Sequence, residues 1–452
     1  NIFFQNNREE IFQIDGQIKG RVNRLDAKTL NLELPRRLSF KGKFNSRNLT
    51  DLDEAIMNFD LQRLRTDVMT LRQLIPGFTP PGNFNKLTNL DFTGKFDGFF
   101  IDFVADGQLK TNLGNAEMNM RMDLKDGRQQ AKYAGQLTLS SFDLGQWSGN
   151  PDLGMISFTS SVKEGQGLTR ETVSAVLSAN VDSLEFRGYD YQNVNINGQL
   201  DQAFFGGDLV IDDENIKLNF SGEIDYRDSL PIFDFGANVE RLNLEPLNLT
   251  QSAFGIAGAF DLRLTDEDLN NIQGDATVNN LVLTGKDGAT YAIDSIALHS
   301  EELPDSNRIF RVTSDILELE MLGKFDIEKI PETIGQYFAR NYPAFSGEMG
   351  LQRDSVYADT SAFSFDLQIF DSKNITSLIH PRFEYLTGGS LVGNFDGYQD
   401  NLTFELDVDS FAYDNATLRD IVIMSTMEKE QSNFSAAVYN TTIGEKISLS
   451  PL

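Results

Sequence analysis

The chain has 452 residues, and 39 Lys and Arg against 67 Asp and Glu give a formal charge of −28. That balance excludes nucleic acid as a partner, because phosphate binding needs a basic surface, and it argues against adsorption to anionic headgroups. No cysteine and only two histidines exclude disulfide frameworks, thiolate metal sites, cysteine nucleophiles and centres with three histidine ligands.

Hydrophobic residues at 40% and charged residues at 23% describe a folded chain, and 35 phenylalanines against one tryptophan promise a large aromatic surface. No run of 18 apolar residues is present, so no helical membrane span is expected. The sequence opens at Asn1 and stops at Leu452 without a recognisable terminal element, and is expected to be a piece of something longer.

In chain order, apolar residues alternate with polar ones, the period of strands with one apolar and one solvated face. An apolar-x-Gly-x-apolar pattern is first seen at Gly16 and then at Phe40-Lys-Gly42-Lys-Phe44. Residues 61–84 break the alternation and are expected to form a short helix and proline loop. The pattern resumes at Phe92-Thr-Gly94-Lys-Phe96 and Gly107, followed by Met118, Met120 and Met122 in alternation and by Gly135. Asp143 to Asp152 reads as a loop carrying the lone Trp147.

Beyond it come Ile196-Asn-Gly198-Gln-Leu200, then Leu218, Phe220, Gly222 and Ile224 on one face. Gly258 with Phe260, and Leu319, Met321, Gly323 and Phe325, continue the series. Glu328 to Pro343 places Ile330, Ile334, Tyr337 and Phe338 at helical spacing, predicting an amphipathic helix of about ten residues that docks over the groove. Gly347 follows, a second short helix is expected within 371–381, and Leu391, Gly393, Phe395, Leu402, Phe404 and Leu406 close the series.

In all eleven copies the glycine is in phase with the apolar side, and most gaps lie near multiples of 12 or 13, which suits roughly 25–32 strands. The expected fold is all-β: one long, curled, antiparallel-rich sheet, continuous over 1–452, rolled into a trough with an apolar interior. Inward glycines would empty side chains from the concave side and let the sheet curl. Tandem sandwiches compete with the trough but need boundaries that the sequence does not mark. The apolar residues named above, with the eleven glycines, would line a groove suited to hydrocarbon chains, with Ile330, Ile334 and Phe338 as its cover.

The ordered run Phe142-Asp-Leu-Gly-Gln-Trp147, Asn150-Pro-Asp-Leu-Gly154 and Leu184 to Gly198 resembles the TamB family. So do Phe205 to Gly222, Pro231 to Phe235, Leu242 to Leu249, and Phe325 to Pro343, the last resembling a helical insertion of some members. The resemblance covers most of residues 90–430. It implies an AsmA-like periplasmic β-taco of a Gram-negative bacterium, anchored in the inner membrane by a segment not identifiable in this chain. The implied function is a conduit for phospholipid between the membranes. The implied partner is a BamA-type outer-membrane barrel, contacted through regions outside this segment. The family is also credited with assembling outer-membrane β-barrel proteins. That second reading would use β-augmentation at an exposed sheet edge; a third is a structural stalk.

Catalytic signals are weak. Asp212-Asp213-Glu214 and Asp266-Glu267-Asp268 lack the alternation of a calcium loop and read as solvated turns. His299 and His380 stand 81 residues apart without a Gly-x-Ser-x-Gly motif, and no phosphate-binding loop accompanies the glycines. No enzyme activity, cofactor or metal is expected.

Overall fold

In the computed structural model the described residues are all except 1–10, 22, 49–53, 75–79, 100, 170, 267, 269, 287, 342–359, 373–374, 377–381, 428–431, 445–446 and 450–452. They form 25 strands of one sheet. Every pairing with a described register is antiparallel and joins neighbours in sequence, and the sheet is open, not a closed barrel. The all-β, single-sheet fold expected from the alternation is the one observed. Two compact units divide it: Asn1–Ser221 with Leu244–Gln251, and Gly222–Asn243 with Ser252–Leu452. The division falls inside a strand, where no change of composition could announce it.

The first unit carries β1 (Gln13–Arg21), β2 (Arg24–Leu34), β3 (Leu38–Arg47), β4 (Ile56–Thr66), β5 (Leu90–Phe99) and β6 (Asp102–Thr111). It continues with β7 (Asn115–Asp123), β8 (Lys132–Asp143), β9 (Leu153–Gln166), β10 (Ser174–Phe186), β11 (Tyr189–Asp201), β12 (Phe204–Asp212) and the start of β13 (Ile216–Asp225). Two helices interrupt it, α1 (Val68–Leu74) and α2 (Leu144–Ser148).

The second unit holds the rest of β13, then β14 (Ile232–Asn243), β15 (Gly255–Thr265), β16 (Gln273–Thr284), β17 (Thr290–Glu302), β18 (Arg308–Ser314) and β19 (Leu317–Lys324). After α3 (Ile330–Asn341) come β20 (Ala362–Asp371), β21 (Phe383–Asp396), β22 (Asn401–Tyr413), β23 (Ala416–Met427), β24 (Ser432–Ile443) and β25 (Ile447–Leu449).

Three expected boundaries shift. The break placed at residues 61–84 starts later, because β4 runs to Thr66 and buries Leu61 opposite Gly94. The helix of 328–343 spans twelve residues, and Pro331 sits at its second position, where a missing N–H leaves no bond unmade. Within 371–381, β20 still includes Asp371, and most of the expected helix lies outside the described residues, as does Gly347.

The glycines fall into register. Gly16 faces Leu30, Leu30 faces Gly42, Gly42 faces Leu61, Leu61 faces Gly94, Gly94 faces Gly107, and Gly107 faces Met118. The row crosses seven strands. At Gly94, with φ +153°, a Cβ would lie 2.6 Å from the Gly107 Cα, hard against the Asp106 carbonyl. The opposite strand's backbone occupies the place of a side chain.

The expectation that glycine leaves the concave side empty needs correction. The Phe92 ring lies over Gly107, the Phe365 ring over Gly393, and the Tyr133 ring over Gly165. An aromatic ring from a neighbouring strand fills each of these gaps, the arrangement that protects strand glycines from water.

Because φ and space both fail at Gly94, Gly94→Val is expected to cost on the order of 3 kcal/mol. Gly82→Ala, where a Cβ meets nothing within 4 Å, should stay within about 0.5 kcal/mol. Urea unfolding midpoints of the two variants measure the contrast.

Candidate apolar groove

On either side of the glycine row run two rows of large side chains. One is Phe44, Phe59, Phe96, Ala105 and Met120. The other is Phe40, Leu64, Phe92, Leu109 and Ala116. Rings pack across strands: Phe44 stacks on Phe59 at 4.8 Å, Phe59 meets Phe96 edge-on at 6.1 Å, and Phe96 stacks on Phe103 at 4.9 Å. These offset and edge-on contacts each stabilise the sheet by about 1 kcal/mol beyond area burial.

Phe40, Phe44, Phe59, Phe92, Phe96, Met118, Met120 and Met122 are nonetheless only half-buried. Side chains at the centre of a closed core would be buried. Over β3–β7 the apolar face touches its own neighbours, and among the described residues no second layer seals it.

One rim of the first unit is different. Val68 of α1, Leu87 after the 3₁₀ turn Gly82–Lys86, and Leu113 join Phe142, Ile156, Val181, Val194 and Ile211 in a buried cluster. The segment expected to be a loop around Trp147 contains α2. Asp143 accepts from the Gln146 N–H at 2.7 Å, a cap on its first turn. Lys86 Nζ donates to the Gln146 and Trp147 carbonyls at 2.7 and 3.2 Å, satisfying its last turn. Trp147 packs edge-on against Phe84 at 4.8 Å and Phe142 at 5.9 Å. Asn112 accepts from the Thr88 N–H at 2.9 Å and donates to the Lys86 carbonyl at 3.0 Å. This cover is tied from several directions.

The remaining first-unit residues divide. Ile196 and Leu218 are half-buried against the capped cluster, and Phe220 is buried beside Phe205. Leu200 is 39% exposed near the end of β11, where it opposes Ala175 and Phe205. Gly135 faces Met120, and Gly198 faces Leu177 and Gly207.

In the second unit α3 lies on the apolar face. Phe310, Met321, Tyr337, Phe363, Phe395, Leu402 and Met427 form a buried cluster, with Leu319, Phe325, Ile330, Ile334, Phe338 and Phe404 packed around it. The helix residue at the centre is Tyr337, 1% exposed, while Ile334 and Phe338 are half-buried. Its ring meets Phe395 edge-on at 5.8 Å and its hydroxyl donates to the Met427 carbonyl at 2.9 Å. Arg340 pairs with Asp400 at 2.9 Å. Tyr337 shares the helical spacing of Ile330, Ile334 and Phe338, but its hydrogen-bond partner lies ninety residues on. Leu391 and Leu406 face each other half-buried, Gly323 faces Phe363, Gly393 faces Phe365 and Phe404, and Gly258 faces Val239. Ile224 and Phe260 are half-buried.

Two buried charged groups, Asp213 and Arg308, each hold a turn. Asp213, read as solvated, is buried: it accepts from the Tyr189 hydroxyl, the Gln192 N–H at 3.1 Å and the Asn215 N–H at 2.8 Å. Burial, then the Asp213 bond, push the Tyr189 hydroxyl above its ordinary range. Arg308 is buried opposite Gly323, donating to Ser300 Oγ and to the carbonyls of Asn270 and Ile272. Burial lowers its pKa, yet a guanidinium stays charged at neutral pH. It clamps the β15–β16 turn.

Outside, Asp91 sits between Arg63 and Arg65 at 2.9 and 3.2 Å; burial raises its pKa, but the two arginines outweigh that and hold it low. His299 Nδ1 lies 2.9 Å from Asp275 on the exposed side, and His380 is outside the described residues. Among the described residues no group of three or more His, Cys, Asp or Glu could hold a metal, and no helix is long and apolar enough to cross a membrane. Comparisons with family models, curated proteins and solved structures give no match.

Tyr337→Phe removes one hydrogen bond and is expected to lose about 1 kcal/mol, whereas Tyr337→Ala should lose about 3–5 kcal/mol. Hydrogen exchange of the α3 amides reads the difference directly: faster in Tyr337→Ala, close to wild type in Tyr337→Phe.

Proposed function

We propose that the chain is a non-catalytic carrier whose apolar sheet face receives lipid acyl chains, with headgroups left in water along the open side. The observation that supports this reading is the half-burial of the Phe and Met rows over β3–β7. Apolar area of that kind gains about 25 cal/mol per Å² when an acyl chain replaces water. It asks for no directional contact, so one chain exchanges for another. Methionines at 118, 120 and 122 add a surface that adapts to varied shapes.

The resemblance to the TamB family fits the same reading and extends it: a periplasmic conduit for phospholipid between inner and outer membrane, working with a BamA-type barrel. The competing role as an assembly factor for outer-membrane barrels would use backbone groups at a sheet edge, by β-augmentation. A bare stalk is disfavoured, since a stalk gains nothing from an unsealed aromatic face.

Lipid extraction and native mass spectrometry of the purified chain are expected to find co-purifying phospholipid. Phe44→Asp with Met120→Asp should reduce it at least about fivefold, as expected for a charge placed against a hydrocarbon chain, with the strand content unchanged by circular dichroism. Photocrosslinkers at residues 96 and 120 should capture lipid. Capture of nascent barrel strands instead would favour the assembly role, and a lipid-free wild type would sink the carrier reading.

A further inference from the structure

On the face opposite the apolar one, a single row of cross-strand neighbours changes character part-way along. Lys43, Asp60, Lys95 and Asp106 face one another in turn with alternating sign, an arrangement that stabilises a solvated sheet face. Asp106 then faces Asn119, and the row continues through Gln136, Ser161, Ser178 and Asn197 before it meets its next charge, Asp208. The adjacent row of Thr138, Thr159, Asn180 and Asn195 ends on Val210. Across β8–β11 these two rows hold eight side chains and no charge, in a chain with 23% charged residues.

Nothing local accounts for this composition. Asparagine is poorly suited to a strand interior, yet Asn180 faces Asn195 in mid-sheet, and Asn197 follows two residues on. All three are exposed. Apart from the contact between the Thr138 and Thr159 hydroxyls at 3.2 Å, the eight side chains make no hydrogen bond to another described residue. The same place is hollowed. A depression of about 340 Å³ is lined by Ser178, Asn180, Asn195, Asn197, Asp208 and Val210, large enough to seat a small ligand.

We propose that this depression is a binding site for a neutral saccharide. An amide or a hydroxyl both donates and accepts, so the complementary ligand is one whose groups also do both and which brings no charge. Sugar hydroxyls meet that description. Asp208, an acceptor only when ionised, would take hydroxyl donors at one end. The amides of Asn180, Asn195 and Asn197 would give and receive in the middle, and Val210, 37% exposed, offers an apolar contact for ring C–H groups. A phosphate or carboxylate meets no Lys or Arg among the lining residues, and a metal ion meets a single carboxylate where it needs several oxygen ligands. From β8 to β11 the rows extend about 14 Å, room for more than one sugar ring. The inference goes beyond the carrier reading and does not rest on it, because the site lies on the other face of the sheet.

Saturation-transfer NMR on the full chain, with cellotriose and with triacetylchitotriose as probes, is expected to show transfer to at least one of them. Asn195→Thr with Asn197→Thr removes two amides while improving strand propensity, so folding is retained. The dissociation constant of this variant should rise at least about fivefold, the equivalent of one lost hydrogen bond. Phe44→Asp with Met120→Asp, directed at the apolar face, should leave it unchanged. Flotation with vesicles carrying a neutral galactolipid separates the two sources of such a ligand. Binding to these vesicles and to neither trisaccharide would support the site with a glycolipid headgroup as its occupant. Absence of binding to all three probes overturns the proposal, as does unchanged binding in the asparagine variant. So does a wild type that ignores the probes and dimerises through this face, which would make the occupant a second copy of the chain.

Discussion

An antiparallel sheet that is apolar on one face must have that face withdrawn from water, and this chain meets the requirement unevenly. At β8–β12 and at β18–β23, helices complete a buried cluster. Over β3–β7 the withdrawal is left to the side chains of the sheet itself. Rings from adjacent strands lean on each other and over glycine backbone, so that no residue of the apolar face there is exposed and few are fully buried. Cross-strand aromatic pairs supply the local cohesion. They leave the area above them available, and the rest of the molecule's design follows from that incompleteness.

The two covers are built to different standards. The first-unit cover is capped by Asp67, which accepts from the Thr70 N–H at 2.8 Å, and by Asp143, and it is tied down by Lys86 and Asn112. These bonds satisfy terminal backbone groups that short helices and turns leave without an internal partner. In the second unit α3 packs its apolar residues around Tyr337, whose hydroxyl donates to the Met427 carbonyl, while Arg340 and Asn341 both hold Asp400. A twelve-residue helix has little stability by itself. Its order is therefore borrowed from the face it covers, and anything that competes for that face competes with the helix.

Much of this was legible from period and phase. Strict alternation identifies strands regardless of what lies opposite, so the class of fold and the apolar side could be read residue by residue. The glycines could be placed on that side, but not their partners, because register is a property of two strands. That is why the ring of Phe92 over Gly107 replaced the expected void. Trp147 was taken for a loop residue because a five-residue helix leaves no periodicity to detect. Its cap, Asp143 three residues before Gln146, was the available signal. The burial of Asp213 and Arg308 is not legible for one reason: a charged residue at a strand end is usually solvated, and only the arrival of Tyr189 or of the β15–β16 turn buries it.

The glycine row has a consequence for anything that moves along the sheet. Rows of cross-strand neighbours run perpendicular to the strands, about 4.8 Å per step. From Gly16 to Met118 the row therefore extends on the order of 29 Å, more than the length of a membrane acyl chain. Its floor holds glycines beside Leu30 and Leu61, opposite backbone fills the space at Gly16, Gly42 and Gly94, and the Phe92 ring lies over Gly107. A surface of low relief has no deep pocket in which a hydrocarbon chain would be trapped. On the carrier reading proposed above, affinity would accumulate from buried area along the row, and a chain held that way would meet only small barriers from one strand to the next.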